Sequence, residues 1–141
     1  SGDTHVHAQK DFRPLDVLLR KDILPYVALK NHISGVMLSH VQFPKVDALP
    51  SSLSAVWVGI LQKYLDPDVL VLTDCLSMFS VANCYPDPVK RVNVAFAAGV
   101  DLALLCNDRA AVKSVLASVP HLHSHRLQLK LARFKAKILD L

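Results

Sequence analysis

The chain has 141 residues, 52% of them hydrophobic and 20% charged, with a formal net charge of +4. This length and apolar content suit one folded domain and exclude a disordered chain. Its basic residues are spread out rather than gathered with aromatic side chains, so the sequence carries no nucleic-acid signal. Its apolar stretches are far shorter than the roughly 20 residues that span a bilayer, so nothing in it points to a membrane.

The cysteines bear on the cellular compartment. Cys75, Cys84 and Cys106 are odd in number and have no C-x-x-C spacing. They lie in apolar or strand-end contexts that suit a reducing compartment. We therefore expect a cytoplasmic protein.

The first predicted element is a helix that is interrupted by a proline. Pro14 fits its first turn, and apolar residues then recur at helical spacing. Pro25 removes one backbone hydrogen bond and clashes with the preceding turn. We expect a kink there and a second short helical piece through Lys30.

A short strand, a long loop and a second helix come next. Residues 35–39 read as a buried strand that ends at His40, and residues 41–50 form a loop with two prolines. The second helix carries the best apolar stripe in the chain and should pack on a sheet. Ser54 is its expected N-cap, and Asp66 with the following proline ends it. The stripe comprises Leu53, Val56, Trp57, Ile60, Leu61, Tyr64 and Leu65.

The run V-L-V-L-T-D-C-L-S-M at residues 69–78 is the predicted centre of the fold. An apolar run of this kind is typical of a strand buried on both faces of a parallel sheet. Asp74 follows at the carboxyl edge, where α/β folds place ligands and chemistry. From the residues alone, Asp74 is either a catalyst or a cap for the following turn. The segment from there to Pro86 reads as a loop.

The second half repeats the pattern of helix and strand. Asp87 is the expected N-cap of a helix that ends at Gly99, and residues 101–106 form a third strand. Asn107 and Asp108 read as loop and cap residues ahead of a helix over 108–119. A last helix over 123–139 presents a basic face that we expect to be solvated. That face comprises Arg126, Lys130, Arg133 and Lys137; the apolar face comprises Leu127, Leu131, Phe134, Ile138 and Leu141.

Helices alternating with short apolar strands predict α/β architecture with a parallel sheet. Three strands cannot close a barrel, and they leave apolar edges that stable monomers avoid. A (β/α)8 barrel has about 250 residues, so the chain has the size of the C-terminal portion of a TIM (β/α)8 barrel. We expect residues 1–141 to form a single partial barrel domain that lacks its N-terminal half. A partner is implied, either that half as a second chain or a homo-oligomer.

Four separate blocks then resemble glycoside hydrolase family three, and within it the bacterial β-N-acetylglucosaminidases of cell-wall recycling. The resemblance covers nearly the whole chain, but only the C-terminal part of the family's catalytic barrel. The blocks are G-V-M-L-S-H-V-Q-F-P-K-V-D at 35–47, S-L-S with Trp57 and L-Q-K-Y-L, V-L-V-L-T-D-C-L-S-M at 69–78, and A-A-G-V-D-L-A-L-L-C-N at 97–107.

The resemblance implies roles for three side chains. The family's strand-end motif reads S-D-D-L-S-M, and its first Asp is the nucleophile of a retaining mechanism. Asp74 matches that nucleophile, whereas Cys75 replaces the second Asp. Met78 matches a Met that lines the sugar pocket, and His40 matches a family His and is a candidate lining residue. The implied substrate is a carbohydrate, and no cofactor is expected.

The acid/base loop departs from the family pattern. The family carries a segment of the type G-D-T-x-x-D-S-H, in which the Asp orients a catalytic His. Here His7 stands at the position of that Asp and Gln9 at that of the His. A glutamine amide cannot donate the proton, which impairs a step worth roughly 10² to 10⁴ in rate. His5 or His7 could substitute, or both are solvated loop residues.

The resemblance also implies that part of the substrate site is missing. The family motif K-H-F-x-G-H and the Asp and Arg of the earlier barrel loops are absent from this sequence. Three interpretations stay open: part of a glycosidase that needs a second chain, an inactive remnant that self-associates through its sheet edges, and a sugar-binding protein without turnover. His121, His123 and His125 alternate, but no Cys or carboxylate ligand lies near them, so we predict no metal site.

Overall fold

The computed structural model describes residues 8–118 and 125–139, with side chains described to residue 135. Three parallel strands form one sheet in the order β1-β2-β3. The strands are β1 Gly35–Leu38, β2 Leu70–Cys75 and β3 Leu102–Leu104. The helices are α1 Leu15–Leu18, α2 Leu24–Ala28, α3 Ala55–Tyr64, α4 Phe79–Ala82, α5 Pro88–Ala97, α6 Arg109–Ser118 and α7 His125–Leu139. A π-helical segment, Leu19–Ile23, joins α1 to α2, and a 3₁₀ turn, Ser51–Leu53, precedes α3.

The central position predicted for the second strand is confirmed. β2 pairs with β1 from Gly35↔Leu70 to Leu38↔Thr73, and with β3 on its other side. Leu70, Val71 and Thr73 are fully buried. One face of the sheet packs against α3 and α5 in the main core, whose members include Leu38, Val58, Leu61, Val71, Val92 and Ala95.

Side chains replace part of the backbone pairing at the carboxyl end of β2. The register between β2 and β3 shifts between Leu72 and Cys75. Within this shift the N–H of Leu104 donates to Oγ1 of Thr73 at 3.0 Å, and the N–H of Cys106 donates to Sγ of Cys75 at 3.2 Å. The two strands therefore stay joined while their backbones diverge.

The interrupted first helix is observed, but the interruption takes a specific form. The π-helical segment ends at Ile23, two residues before Pro25, and α2 ends at Ala28 rather than at Lys30. Proline has no N–H, and a wider turn of the π type accommodates the missing bond. Leu18 and Ile23 from this region pack on Trp57 and Ile60 of α3 in a second core cluster.

The predicted helix ends are confirmed where a cap defines them. Ser54 accepts a hydrogen bond from the N–H of Trp57 at 3.1 Å, and Asp87 accepts one from the N–H of Val89 at 2.9 Å. Asp108 accepts one from the N–H of Ala111 at 2.9 Å, as expected of a cap. Gly99 has φ = 95°, a conformation that favours glycine at a helix end.

Other details of the sequence prediction are wrong. The first strand is not buried throughout, because Met37 on this edge strand is 53% exposed. The segment up to Pro86 is not all loop, because α4 forms there on hydrogen bonds to the carbonyl of Met78. The third strand is shorter than predicted, because the register shift ends its pairing at Leu104. Val56 does not belong to the buried stripe of α3, since its side chain is 48% exposed.

The basic face of α7 is not uniformly solvated, contrary to the prediction. The side chain of Lys130 is 3% exposed and its Nζ lies 2.7 Å from Oδ2 of Asp101. Arg133 pairs with Asp66 at 2.9 Å, and Phe134 lies against Gly35. The helix therefore packs on residues that precede or begin the three strands. As a result, the side chain of Lys130 is buried against the rest of the protein instead of lying in solvent. Leu141 and the side chains of Lys137 and Ile138 lie outside the described part of the chain.

No helix in the described part of the chain combines the length and apolar character needed to cross a bilayer.

Candidate active site

Asp74 lies near the carboxyl end of the central strand, where it was predicted. It is half-buried, and its Oδ1 accepts a hydrogen bond of 2.7 Å from the N–H of Cys75. Within the described ranges, no hydrogen-bond donor reaches its Oδ2. A helix cap would accept from an N–H two or three residues further on, so the geometry is that of a held carboxylate with one oxygen available for other contacts.

Two of the predicted site residues, His40 and Met78, contact the backbone carbonyl of Cys75, the residue that follows Asp74. This carbonyl accepts hydrogen bonds from the N–H of Met78 at 3.0 Å and from Nε2 of His40 at 2.8 Å. Because a carbonyl oxygen only accepts, Nε2 of His40 carries a proton. The other ring nitrogen of His40 lies 2.6 Å from Oγ of Ser52.

His40 and Met78 are both buried. The residue exposure of His40 is 1% and that of Met78 is 6%. The histidine bridges the end of β1 and the end of β2, whereas Met78 immediately precedes α4. Their predicted contact with a sugar stays a prediction; their observed contacts hold the turn that follows Asp74.

Two residues in this arrangement were missed by sequence reasoning. Arg91 on α5 is 5% exposed and donates from its guanidinium to the carbonyl of Leu76 at 2.8 Å. Ser52, fully buried in the 3₁₀ turn, partners His40. No local signal marks either residue, because a serine in a turn and an arginine on a helix are most often solvated. Only their contacts across the fold identify them.

The two thiols at this edge of the sheet influence each other. Burial opposes ionisation of Cys75, but hydrogen bonds from the backbone N–H groups of Ser77 and Cys106 outweigh it and lower the pKa of the Cys75 thiol. Hydrogen bonding with Cys75, together with its negative charge, raises the pKa of the Cys106 thiol. Cys75 is therefore the thiol that ionises first, and the thiolate is the reactive form.

A cavity of about 260 Å³ lies between the loops at this edge. Its lining includes Gln9 and His40, together with Ser80, Cys84 and Tyr85. Gln9 is half-buried, and its carbonyl accepts from the N–H of Gln42 at 3.0 Å. The structure thus brings Gln9 and His40 to one cavity.

A larger cleft of about 420 Å³ runs along the outer edge of β1. Its lining includes Val36 and Met37, which point to opposite faces of that strand. Tyr26 and Arg13 also line it. Met37 is 53% exposed. The cleft therefore occupies the position at the strand's edge where a further element of a sheet would pack.

Some predicted residues lie outside the described part of the chain, namely His5, His7, His121 and His123. Among the described residues, no group of three or more His, Cys, Asp or Glu side chains could hold a metal ion. His125 is the first residue of α7.

Parallel strands, intervening helices and a carboxylate at the end of the central strand define a protein of the (β/α) class, a class in which ligands bind at the carboxyl edge of the sheet. A family model described as the glycosyl hydrolase family 3 N terminal domain matches residues 1–137. The chain belongs to glycoside hydrolase family 3.

Individual relatives agree with the family model. The chain is 36% identical over 122 residues to a beta-hexosaminidase of Pseudomonas aeruginosa, covering 86% of this chain and 36% of that protein. It is 38% identical over 120 residues to a beta-hexosaminidase of Hydrogenovibrio crunogenus, covering 84% of this chain and 33% of that protein. A family 3 beta-N-acetylglucosaminidase structure from Paenibacillus matches at a TM-score of 0.77 and 28% identity, covering 99% of this chain and 29% of that one.

The family resemblance is confirmed by these matches, and the predicted α/β fold class with three parallel strands is confirmed by the observed sheet. The chain spans about a third of the length of the curated relatives it matches.

Proposed function

We propose that this chain supplies the nucleophile side of a retaining glycosidase that acts on β-linked N-acetylglucosamine in cell-wall fragments. In the proposal, residues 1–141 form a partial barrel, a second segment supplies the rest, and the isolated chain is a poor catalyst. The observation that carries it is Asp74, a half-buried carboxylate held through one oxygen at the carboxyl end of the central strand. The relatives named beta-hexosaminidase give the substrate class.

The proposed chemistry begins with the carboxylate of Asp74 attacking the anomeric carbon, which forms a glycosyl-enzyme intermediate that water then hydrolyses. The N–H of Cys75 orients this carboxylate, and His40 and Arg91 hold the following turn through backbone carbonyls. Preorganisation of this kind keeps the nucleophile in its reactive geometry. Met78 and His40 are proposed to border the sugar, and no cofactor takes part.

Proton donation is the weak step of this proposal. Gln9 stands at the position of the family's catalytic histidine, and its amide cannot protonate a leaving oxygen. A nitrophenolate is a good leaving group that needs no proton, whereas an alkoxide must be protonated as it leaves. The proposal therefore predicts that aryl glycosides are hydrolysed much faster than alkyl glycosides.

The cleft beside β1 supports completion by a second segment. It presents apolar side chains from both faces of an edge strand, as a site for the preceding β/α unit would. The free thiols of all three cysteines support a cytoplasmic location.

The test compares two substrates on the protein as isolated with any chain that copurifies. We expect 4-nitrophenyl β-N-acetylglucosaminide to be hydrolysed. The ratio of the nitrophenyl rate to the methyl glycoside rate should exceed that of a family member with an intact acid by roughly 10² to 10⁴. Replacing Asp74→Asn should lower the aryl rate by about 10³-fold or more. Asp108→Asn is the matched control, because it also follows a strand at this edge and asparagine still caps a helix.

Restoring the acid loop sharpens the test. The double variant His7→Asp with Gln9→His should raise kcat/KM for the methyl glycoside while leaving kcat/KM for the nitrophenyl glycoside within a few-fold. This parameter reports the reaction up to formation of the glycosyl-enzyme, a step in which only the methyl glycoside needs the proton. An aryl rate equal in the Asp74→Asn and parent proteins would contradict the proposal.

The second candidate function is a catalytically inactive remnant that self-associates through its open sheet edges. The exposed side chain of Met37 on edge strand β1 favours it. Copurification distinguishes the candidates: a second chain that completes the barrel supports the glycosidase, and multiples of this chain without turnover support the remnant.

A further inference from the structure

Two cysteines meet across neighbouring strands beside Asp74. Cys75 ends β2, and Cys106 lies two residues after the end of β3. The backbone N–H of Cys106 donates to Sγ of Cys75 at 3.2 Å. An amide nitrogen at this distance puts the adjoining Cα within about 5 Å of that sulfur, a spacing compatible with a disulfide.

The two thiols differ in ways that suit two different roles. Cys75 is half-buried and its ionised form is stabilised by backbone N–H groups, whereas Cys106 is exposed. A thiolate attacks oxidants faster than a thiol does, and an exposed neighbouring thiol can then resolve the product. The pair therefore has an attacking and a resolving member.

We propose that Cys75 and Cys106 form a reversible disulfide when the protein meets a hydroperoxide. The Cys75 thiolate attacks the peroxide; the O–O bond breaks, the sulfur loses two electrons to oxygen, and the sulfenic acid of Cys75 forms as hydroxide or alkoxide leaves. The Cys106 thiol loses its proton and attacks that sulfur; the S–O bond breaks, water leaves and the S–S bond forms. A dithiol reductant reverses the reaction by exchange.

The bond would link β2 to β3 at the position where their backbone pairing is already irregular. Cys75 also supplies the N–H that holds Asp74 and the carbonyl that holds His40 and Met78. The disulfide would form next to the carboxylate of Asp74. Its formation does not depend on whether the chain is part of a glycosidase. The chemistry belongs to the cysteines alone.

The experiment is peptide mapping after non-reducing digestion of the intact protein, before and after exposure to hydrogen peroxide. We expect a single new cross-linked species that joins the peptides containing Cys75 and Cys106, lighter than the two reduced peptides by two hydrogen atoms. Dithiothreitol should remove it. Cys75→Ser and Cys106→Ser should each abolish it.

Cys84→Ser is the matched control, because Cys84 is exposed, lies two residues after the end of α4 and is not a member of the thiol pair. Because this variant keeps both Cys75 and Cys106, the cross-link between them should form within two-fold of the parent rate. This expectation holds even if the Cys75→Ser or Cys106→Ser variant folds poorly. A cross-link through Cys84, or irreversible sulfinic acid on Cys75 with no cross-link, would overturn the proposal.

Discussion

Buried polar side chains fix the turn that follows Asp74, and His40 makes two of their contacts. It is 1% exposed and joins Ser52 to the carbonyl of Cys75. Removing one partner of a buried hydrogen bond costs the desolvation of the group left behind, about 1–3 kcal/mol. The identity of residue 40 therefore matters for stability whether or not it contacts a sugar.

Replacing His40→Phe keeps an aromatic ring of similar size but removes both of its polar contacts. We expect the free energy of unfolding to fall by about 1–3 kcal/mol, because the hydroxyl of Ser52 loses its partner and the Cys75 carbonyl keeps only the N–H of Met78. The midpoint of urea unfolding measures this change.

His32→Phe serves as the control for His40→Phe, since His32 is exposed and should change the free energy of unfolding by no more than about 0.5 kcal/mol. Equal midpoints for the two variants would contradict the structural role assigned to His40.

At the scale of elements, α7 docks on the end of the sheet from which the strands begin. Lys130 and Asp101 form its most buried polar contact, with side-chain exposures of 3% and 15%. Oδ2 of Asp101 also accepts from the N–H of Val71 at 2.9 Å. One carboxylate therefore ties a helix to the central strand and to the start of β3.

Replacing Lys130→Met leaves the carboxylate of Asp101 enclosed without its cation. Breaking a buried pair from one side costs roughly 3–5 kcal/mol, so we expect a loss of that order in the free energy of unfolding. The second change Asp101→Asn should recover part of it, because the amide oxygen still accepts from Val71 and no charge remains buried. Urea unfolding of the four proteins in this cycle gives the coupling.

The matched control for the helix is Arg133→Met. Its ion pair with Asp66 is much more exposed than that of Lys130, with side-chain exposures of 43% and 28%, and ion pairs near the surface contribute about 0–1 kcal/mol. If Lys130→Met lowered the free energy of unfolding by as little as Arg133→Met does, the buried contact would not be what holds α7 in place.

At the scale of the whole molecule, the sheet is open beside β1. In the part of the chain that the structure describes, β1 pairs with β2 on one side and borders the 420 Å³ cleft on the other. Exposed apolar edge strands favour pairing with another chain. We therefore expect the protein, when purified alone, to self-associate with increasing concentration.

A charge at this edge should weaken the association. Replacing Met37→Lys would bury a cation in any contact made there, and we expect the dissociation constant to rise by about tenfold or more, as sedimentation velocity over a concentration series would measure. Leu116→Lys is the control, because Leu116 is 64% exposed on α6, the helix that follows β3 rather than β1, and it does not line the cleft beside β1. A protein that stays monomeric throughout, or equal effects of the two lysines, would contradict the expectation.

The sequence by itself determined the features that depend on neighbouring residues. Ser54, Asp87 and Asp108 cap helices through N–H groups two or three residues away, so their roles were predictable from local order. The apolar run before Asp74 likewise specified a central strand and put the carboxylate at its carboxyl end, since a strand flanked on both sides has no polar face.

Only the tertiary structure decided the contacts between residues far apart in the chain. His40 meets Cys75, Arg91 meets Leu76 and Lys130 meets Asp101 across separations of 35, 15 and 29 residues. The sequence around each of these polar side chains is equally compatible with exposure to solvent. Hydropathy indicates whether a residue prefers burial, but it does not identify the residue that it contacts. The packing of helices on the sheet supplied those partners, and with them the arrangement that holds the candidate nucleophile.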